Sequence, residues 1–376
     1  MRILAALSGG VDSAVAAARL QREGADVVAV HYRTGVAAED PAAPVRTRSC
    51  CGVDDARDAR AVAARLGVPF YVVDVADAFR RDVIDAFVAD YAAGRTPNPC
   101  IACNQHVKFG RLEDLARAVG AEAVATGHYA RTVPRPGAPT RLLRGLDPAK
   151  DQSYVLYGLS EAQRARARFP LGDATKAAVR DEARALGLGV ADKPDSQELC
   201  FVPAGDHRAV LFDLAPSLRR PGPVLDASGR EVGRHDGAAG FTVGQRKGLG
   251  VTGAAPVHVL DVRPADDVVV VGPRASLLRR VVRTGPLHWV DVDPADGAAH
   301  GPWRVDVRIR HAAPPAPATL VVAADGSARV TFDAPVFAPA PGQALVAYVG
   351  EAVLAGAPIE GSEAADPADA PAVAGG

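Results

Sequence analysis

The chain has 376 residues, a formal net charge of −1 at pH 7, 48% hydrophobic residues and 23% charged residues. A chain of this length exceeds one ordinary core, so we expect two or three domains. Its apolar runs are too short to span a bilayer, and it begins in an apolar strand rather than a signal peptide, which excludes a helical membrane protein and predicts a cytoplasmic one. The near-zero charge gives no global attraction to nucleic acid, although a local basic face is sufficient for binding.

The first half of the chain alternates apolar strands with helices. Strands are predicted at residues 3–7, 27–32, 68–74 and 123–126, and helices at residues 14–20, 54–66, 77–93 and 112–119. This alternation predicts an α/β fold with a doubly wound parallel sheet that binds ligands at the carboxyl ends of its strands.

The second half changes character, because helical patterns fade and short apolar runs alternate with Pro and Gly. These runs lie at residues 257–260, 268–271, 303–309, 319–322 and 344–349. They predict a small β-rich domain followed by a C-terminal β-barrel. The expected division is 1–205 for the catalytic domain, 206–275 for the small β domain, 276–360 for the barrel and 361–376 for a disordered tail.

Ser8-Gly9-Gly10-Val11-Asp12-Ser13 lies between the first strand and the first helix. Two glycines allow close approach of the backbone to a phosphate, and the positive end of the helix dipole favours an anion. Because no Gly-Lys-Ser/Thr follows, the loop is not a Walker A motif. The residues resemble the PP-loop of the ATP pyrophosphatases, which split ATP between the α and β phosphates.

The five cysteines are too few for a disulfide scaffold in a chain this long. Cys100 and Cys103 follow the stiff, predicted extended turn Thr96-Pro97-Asn98-Pro99, and Cys200 follows a polar stretch that begins at Lys193. One interpretation of Cys100 and Cys103 is half of a zinc site completed by Cys50 and Cys51 or a histidine, although adjacent cysteines chelate one metal poorly. Structural burial is the interpretation we favour for Cys50 and Cys51.

Lysine is scarce and arginine abundant. The lysines are Lys108, Lys150, Lys176, Lys193 and Lys247. Since the two side chains differ in shape and hydrogen-bond geometry, we hypothesise that the remaining lysines mark places where arginine does not fit.

Taken together, the motifs resemble the tRNA-specific 2-thiouridylases, the MnmA/TrmU family, over nearly the whole chain. The matching stretches are the PP-loop, residues 98–109, 127–131, 150–154, 195–197 with Cys200, 244–250 and 341–343. The resemblance implies a PP-loop (adenine nucleotide α-hydrolase-like) catalytic domain. It also implies a two-stage reaction, in which ATP adenylates the C2 oxygen of the tRNA wobble uridine and sulfur from a Cys200 persulfide then replaces that oxygen. Cys103 is then the nucleophile that completes the transfer through a transient Cys103–Cys200 disulfide.

The resemblance also assigns binding roles, residue by residue. ATP, with Mg²⁺ at its phosphates, is expected at Ala6, Leu7, Ser8, Gly9, Gly10, Val11, Asp12, Ser13, Tyr32 and Gly127. The target base is expected at Asn98, Pro99 and Cys100, and tRNA contacts at His128, Lys150, Asp151, Gln152, Arg310, His311 and Gln343. No resident metal is expected from the protein's own ligands.

The implied partners are a tRNA of the Lys, Glu or Gln isoacceptors, a cysteine desulfurase or sulfur-carrier protein, and a reductant; no membrane is implied. Three positions depart from the family pattern: Cys100 stands where Asp is common, His311 where Tyr is common, and Tyr32 where a smaller side chain is usual. Position 100 therefore supplies a thiol where those relatives supply a carboxylate.

Two alternatives remain open. One is another adenylating PP-loop enzyme that acts on a small molecule, such as a synthetase of the argininosuccinate or GMP type, and the other is a non-catalytic RNA-binding module with zinc. Candidate basic faces for RNA are Arg164, Arg166 and Arg168, then Arg279 and Arg280, then Arg304, Arg308 and Arg310, each of which is equally consistent with a solvated surface.

Overall fold

A computed structural model describes residues 1–35, 53–195, 199–202, 206–251, 256–292 and 301–364. Cys50, Cys51 and the tail beyond Ala364 lie outside these residues. The chain forms two compact units. The first comprises Met1–Asp85, Pro99–Asp206 and Glu351–Val353, and the second comprises Ala86–Asn98, His207–Gly350 and the chain from Leu354 onward.

The elements up to the start of the second half are, in chain order, β1 (Arg2–Ala6), α1 (Val11–Arg22), β2 (Asp26–Arg33), α2 (Val53–Leu66), β3 (Phe70–Asp74), α3 (Ala76–Phe79), α4 (Asp85–Ala92), α5 (Pro99–Ala102), α6 (Leu112–Ala118), β4 (Ala123–Ala125), β5 (Ala130–Arg135), β6 (Ala138–Arg144), α7 (Glu161–Arg166), β7 (Ala167–Arg168) and α8 (Lys176–Ala185). Two π-helical segments, Arg80–Ile84 and Cys103–Arg111, connect α3 to α4 and α5 to α6.

The remaining elements are α9 (His207–Leu214), β8 (Gly222–Asp226), β9 (Glu231–His235), β10 (His258–Arg263), β11 (Val268–Gly272), β12 (Leu278–Pro286), β13 (His288–Trp289), β14 (Trp303–Arg308), β15 (Ala316–Val322), β16 (Ser327–Phe337), β17 (Ala344–Val349) and β18 (Ala352–Ala364). Among the described residues, no helix combines the length and apolarity that crossing a bilayer requires.

The first unit contains a five-stranded sheet in the order β3-β2-β1-β4-β7. All of its neighbouring strands are parallel, which confirms the predicted parallel sheet. β1 and most of β2 are buried, as expected for strands covered on both faces. Because β2 and β3 lie on one side of β1 and β4 on the other, the strand order reverses at β1, and ligands bind at such a switch point in open α/β sheets.

The second unit contains two β structures. Six strands, β12-β16-β15-β14-β17-β18, close into a barrel because β12 also pairs with β18. The barrel core includes Val282, Leu320, Phe332 and Leu345. A separate four-stranded sheet has the order β10-β11-β8-β9, so the β-rich domain and the barrel are both confirmed as predicted fold classes.

Two local predictions are wrong. Pro99 begins helix α5 instead of completing an extended turn, because proline has no N–H to lose and a suitable φ at the first helical position. Residues 361–364, assigned by composition to a disordered tail, form the end of β18, where Ser362 and Glu363 pair with β12. Backbone pairing in the barrel outweighs the polar composition of that segment.

We expect Leu4→Ala to lower the free energy of unfolding by about 2–5 kcal/mol, because Leu4 is fully buried in the central strand β1 and truncation leaves a cavity. The matched control is Leu146→Ala, since Leu146 is 54% exposed. Urea denaturation monitored by circular dichroism measures both variants, and equal losses would contradict the assignment of β1 to the core.

Candidate functional site at the loop after the first strand

The loop between β1 and α1 is held by its own serines. The Ser8 backbone N–H donates to Ser13 Oγ over 3.1 Å, and the Ser13 hydroxyl donates to the Gly10 carbonyl over 3.0 Å. Gly10 is the N-cap of α1 and supplies no side-chain cap to the helix. The loop therefore leads into a helix N-terminus that no side chain of its N-cap residue blocks, which is the geometry that favours an anion.

Two glycines make this loop compact. Gly9 has φ +75°, and a Cβ there would lie 2.4 Å from the carbonyl oxygen of Asp55. Gly127, which follows β4, has no room for a Cβ either, because it would lie 2.7 Å from the Ser13 nitrogen and 2.8 Å from the carbonyl carbon of Asp12. The structure thus brings Gly127 against the loop at the switch point of the sheet, and its contact with ATP stays a prediction.

A lysine from a distant part of the chain enters this site. The Lys176 ammonium lies 2.7 Å from both carboxylate oxygens of Asp12 and 2.8 Å from Asp195 Oδ1, and only 11% of its side chain is exposed. Lys150 binds the second Asp195 oxygen at 2.7 Å, and Arg180 binds the first at 2.7 Å. Asp195 therefore connects Lys150 to Lys176, and Lys176 connects Asp195 to the loop.

These contacts control protonation at the site. Burial alone raises the pKa of the Asp195 carboxyl, but hydrogen bonds from Lys150 and Lys176 outweigh it and lower that pKa to about 2. Burial and the adjacent Asp12 carboxylate raise the pKa of the Tyr129 phenol well above its ordinary value, so that it donates to Asp12 Oδ1 over 2.7 Å. Asp12 is thus a shared acceptor for one ammonium and one phenol.

A second lysine, Lys193, also contacts the loop. The Lys193 ammonium donates to the Gly9 carbonyl over 2.9 Å and to the carboxylates of Asp55 and Asp58 over 2.7 and 2.6 Å. Burial lowers the pKa of Lys193, but these two hydrogen-bonded carboxylates raise it overall. Lys193 therefore stays charged and ties the loop to helix α2.

Tyr32 and His128 lie near the same switch point. The Tyr32 hydroxyl donates to the Lys108 carbonyl over 3.4 Å, and His128 Nδ1 lies 2.8 Å from the Thr126 hydroxyl. Burial and the nearby Lys108 charge lower the pKa of His128 well below its ordinary value, so the imidazole is neutral at pH 7. His128 is buried, and its contact with tRNA stays a prediction.

The predicted cysteines lie in the first unit. Cys100 is exposed on α5, while Cys103 is half-buried at the start of the π-helical segment. Cys200 is also half-buried, next to Phe201, whose ring packs edge-on against Phe79 at 6.0 Å. Their chemical roles stay predictions, and among the described residues no group of three or more His, Cys, Asp or Glu side chains is arranged to hold a metal ion.

The predicted tRNA contacts at residues 150–152 have internal partners. The Asp151 carboxylate is buried and accepts from the backbone N–H groups of Gly145 and Ser153 over 3.0 and 3.1 Å. Gln152 Oε1 accepts from the Tyr129 N–H over 3.0 Å. Gln152 therefore holds the backbone that follows β4, and Asp151 holds the backbone that follows β6. Lys150 is 35% exposed and joins the ion network.

In the second unit, two predicted tRNA residues also bind backbone. The Arg310 guanidinium donates to the carbonyls of Val243 and Ala338 over 3.0 and 2.6 Å. The Gln343 side-chain amide donates to the Thr96 carbonyl over 2.8 Å. His311 is exposed.

Two of the arginines suggested for a basic face are buried, so that suggestion is wrong for them. Arg164 binds the carbonyls of Thr140 and Leu159, and Arg308 lies 5.7 Å from the centre of the Tyr348 ring.

Sequence reasoning missed Lys176 as a site residue. It lies outside every stretch that carries the family resemblance, and the helix it begins reads as an ordinary polar one. The scarcity of lysine was the one sequence feature that could have pointed to Lys176, since we expect lysines to remain where arginine does not fit. The Lys176 ammonium is a compact charge that contacts three carboxylate oxygens.

We expect Lys176→Met to lower the free energy of unfolding by about 1–3 kcal/mol, because it leaves two neighbouring carboxylates without their shared cation. The double variant Asp12→Asn/Lys176→Met should recover part of this loss, which urea denaturation of both variants measures.

The matched control is Lys247→Met at an exposed lysine, which should change stability by no more than about 0.5 kcal/mol. Strictly additive effects of the Asp12 and Lys176 substitutions would show that the ion pair contributes nothing.

Three family models match the chain in succession. They are the tRNA methyl transferase HUP domain over residues 1–204, the tRNA methyl transferase PRC-barrel domain over residues 214–273, and the aminomethyltransferase beta-barrel domain over residues 279–359. The first of these alone covers more than half of the chain, including the loop, Gly127 and both predicted reactive cysteines.

Curated relatives match over almost the full length. The tRNA-specific 2-thiouridylase MnmA of Methylobacterium radiotolerans is 46% identical over 92% of this chain and 89% of its own. The MnmA protein of Rhodospirillum centenum is 45% identical over 100% of this chain and 95% of its own. That of Streptomyces coelicolor is 44% identical over 96% of this chain and 94% of its own.

Both the order of the matched domains and the near-complete coverage agree with the motifs quoted from the sequence. The chain belongs to the family of tRNA-specific 2-thiouridylases.

Proposed function

We propose that this protein replaces the C2 oxygen of a tRNA wobble uridine with sulfur, at the expense of ATP, which leaves as AMP and pyrophosphate. The observation that carries the proposal is the placement of the anion-binding loop, Cys103 and Cys200 in one structural unit of a chain whose family is known. A PP-loop and two separated thiols are what activation by a nucleotide followed by sulfur transfer requires.

The loop is suited to the phosphates of ATP. Its backbone N–H groups and the N-terminus of α1 favour negative charge, and Lys176 and Lys193 place two ammonium groups beside it. Lys176 is currently neutralised by Asp12 and Asp195. We infer that a polyphosphate competes with these carboxylates for the lysine.

Mg²⁺ fits this donor set as a metal carried by the nucleotide. Magnesium takes oxygen ligands and commonly uses one or two carboxylates beside phosphate oxygens. Asp12 supplies such a carboxylate at the loop. When bound, the metal would neutralise charge on the phosphates.

The two cysteines complete the transfer. The terminal sulfur of a Cys200 persulfide attacks the activated C2, so that a C–S bond forms and the C2–O bond breaks with AMP as leaving group. The Cys103 thiolate then attacks Cys200 Sγ, which breaks the persulfide S–S bond, leaves the sulfur on C2 and forms a Cys103–Cys200 disulfide. A reductant supplies the two electrons that reopen the disulfide.

The partners follow from this chemistry. We propose a tRNA of the Lys, Glu or Gln isoacceptors as substrate, with the target base at Asn98, Pro99 and Cys100. The sulfur source is a cysteine desulfurase or a sulfur-carrier protein. A reaction that ends in a disulfide needs a reducing compartment, so we assign the protein to the cytoplasm. We retain 1–205, 206–275 and 276–360 as the proposed domain division.

The purified protein supplied with ATP, a sulfur donor, a reductant and tRNA should form 2-thiouridine, measured by mass spectrometry of the digested tRNA. Cys103→Ser and Cys200→Ser should each abolish product, because serine can neither hold the sulfur nor form the disulfide. Both variants should still bind tRNA and release pyrophosphate.

Pyrophosphate release without 2-thiouridine in the cysteine variants would show that activation by ATP precedes, and is independent of, sulfur transfer. Unchanged product from Cys200→Ser, or no product from the wild type with every component present, would defeat the proposal.

Gly127→Ala tests the nucleotide site. A Cβ at this position meets the backbone of Asp12 and Ser13, so we expect the loop to shift and ATP affinity to fall at least about tenfold, measured by calorimetry. Gly189→Ala is the matched control, because a Cβ there has no heavy atom within 4 Å. Equal ATP affinity in the two variants would contradict the assignment of Gly127 to the nucleotide site.

A further inference from the structure

We propose that the barrel turn Pro341–Gln343 clamps the turn that bears Asn98, and that Gln343 is a positioning residue for the target base. The proposal rests on the proposed function for what Asn98 contacts. The clamp itself rests on geometry inside the second unit, to which Ala86–Asn98 and the barrel both belong.

Thr96 is held at three points. Its backbone N–H donates to the Pro341 carbonyl over 2.7 Å, and its carbonyl accepts from Gln343 Nε2 over 2.8 Å. Its hydroxyl donates to the Thr242 hydroxyl over 3.3 Å, and the residue is buried. Backbone donor, backbone acceptor and side chain are therefore all fixed by residues at least 146 positions away in the sequence.

The packing between the two turns leaves no free space. Gly342 has φ +87°, and a Cβ there would lie 2.8 Å from both the Thr96 nitrogen and Arg95 Cβ. Only glycine combines this backbone conformation with such a close approach. The barrel turn is thus shaped to fit against residues 95–96.

Helix α4 fixes the other end of the segment. Tyr91 stacks on His207 with ring centres 5.1 Å apart, and burial raises the pKa of Tyr91 to about 12 despite its hydrogen bond to Thr242. The Gly94 Cβ position lies 3.0 Å from the Val262 carbonyl oxygen. Thr242 therefore hydrogen-bonds to both Tyr91 and Thr96, which restricts the backbone between these two residues.

The prolines on both sides of Asn98 restrict its backbone conformation. Pro97 and Pro99 have their φ angles locked by their rings, and a residue that precedes proline is itself restricted. Fixing Thr96 therefore fixes the direction of the chain at Asn98. A base that must be presented to a reactive centre gains from such preorganisation, since misplacement by about 1 Å is enough to cost roughly 100-fold in rate.

This arrangement differs from a direct tRNA contact at Gln343. The Gln343 amide donates to Thr96, and at a longer 3.4 Å to the Pro97 carbonyl, so its donor group is already directed at the turn. Gln343 then acts through Thr96, and its loss changes the rate on bound tRNA rather than the binding of tRNA.

The experiment compares Gln343→Ala and Gly342→Ala, the second of which displaces the turn by steric clash. In the tRNA-free protein, we expect hydrogen exchange of the Thr96 amide to accelerate by roughly 3- to 10-fold in both variants. With saturating tRNA, the single-turnover thiolation rate should fall about 10- to 100-fold, while the tRNA dissociation constant changes by less than about threefold.

Each test variant has a control variant with the same substitution at a different position. Gln21→Ala removes another glutamine that donates to a backbone carbonyl, and Gly350→Ala places alanine at φ +60° where a Cβ meets nothing within 4 Å. Neither should change Thr96 exchange or the thiolation rate.

Unchanged Thr96 exchange in both test variants overturns the clamp, whether or not the wild type makes 2-thiouridine. Faster exchange with an unchanged rate on bound tRNA overturns the positioning role. Loss of tRNA affinity in Gln343→Ala alone identifies a direct RNA contact instead. A wild type without thiolation refutes the proposed function, while hydrogen exchange still decides the clamp.

Discussion

The close backbone approach of Gly127 to the start of helix α1 constrains the loop that we propose as the nucleotide site. The carboxyl ends of β1 and β4 meet at the switch point of the sheet, and the missing side chain at Gly127 lets the second strand approach the loop of the first. The rest of the site is built around this pair of strands.

Charge is then balanced by lysines from the end of the first unit. Lys176 and Lys193 are each paired with two carboxylate side chains beside the loop. An ammonium group that is already paired with carboxylates can bind a phosphate only if the phosphate replaces one of those carboxylates. Because Asp195 also binds Lys150, a change of partner at the loop alters the charges around a residue assigned to tRNA.

The sequence predicts the parallel sheet, the loop after β1 and the barrel because each leaves a local signal. Apolar runs mark strands that are buried on both faces, and Gly9 marks a turn whose φ of +75° other residues rarely adopt. Lys176 could not be placed, since its contacts depend on the packing of α8 against α1 rather than on any nearby residue. The backbone hydrogen bonds of Gln152 and Gln343 could not be predicted either, because a glutamine that binds distant backbone looks the same in sequence as one on a surface.

Ala86–Asn98 belong to the second unit although they lie between two segments of the first, so no single cut in the sequence separates the two units. A fragment that ends near residue 205, as the first family model suggests, keeps Phe87 and Tyr91 but loses His207, Thr242 and the turn at Gly342. The Tyr91 ring would then lose the His207 ring on which it stacks, and the Thr96 backbone would lose both of its hydrogen-bond partners. A single cut near residue 205 therefore separates Ala86–Asn98 from the later residues with which they form one compact unit.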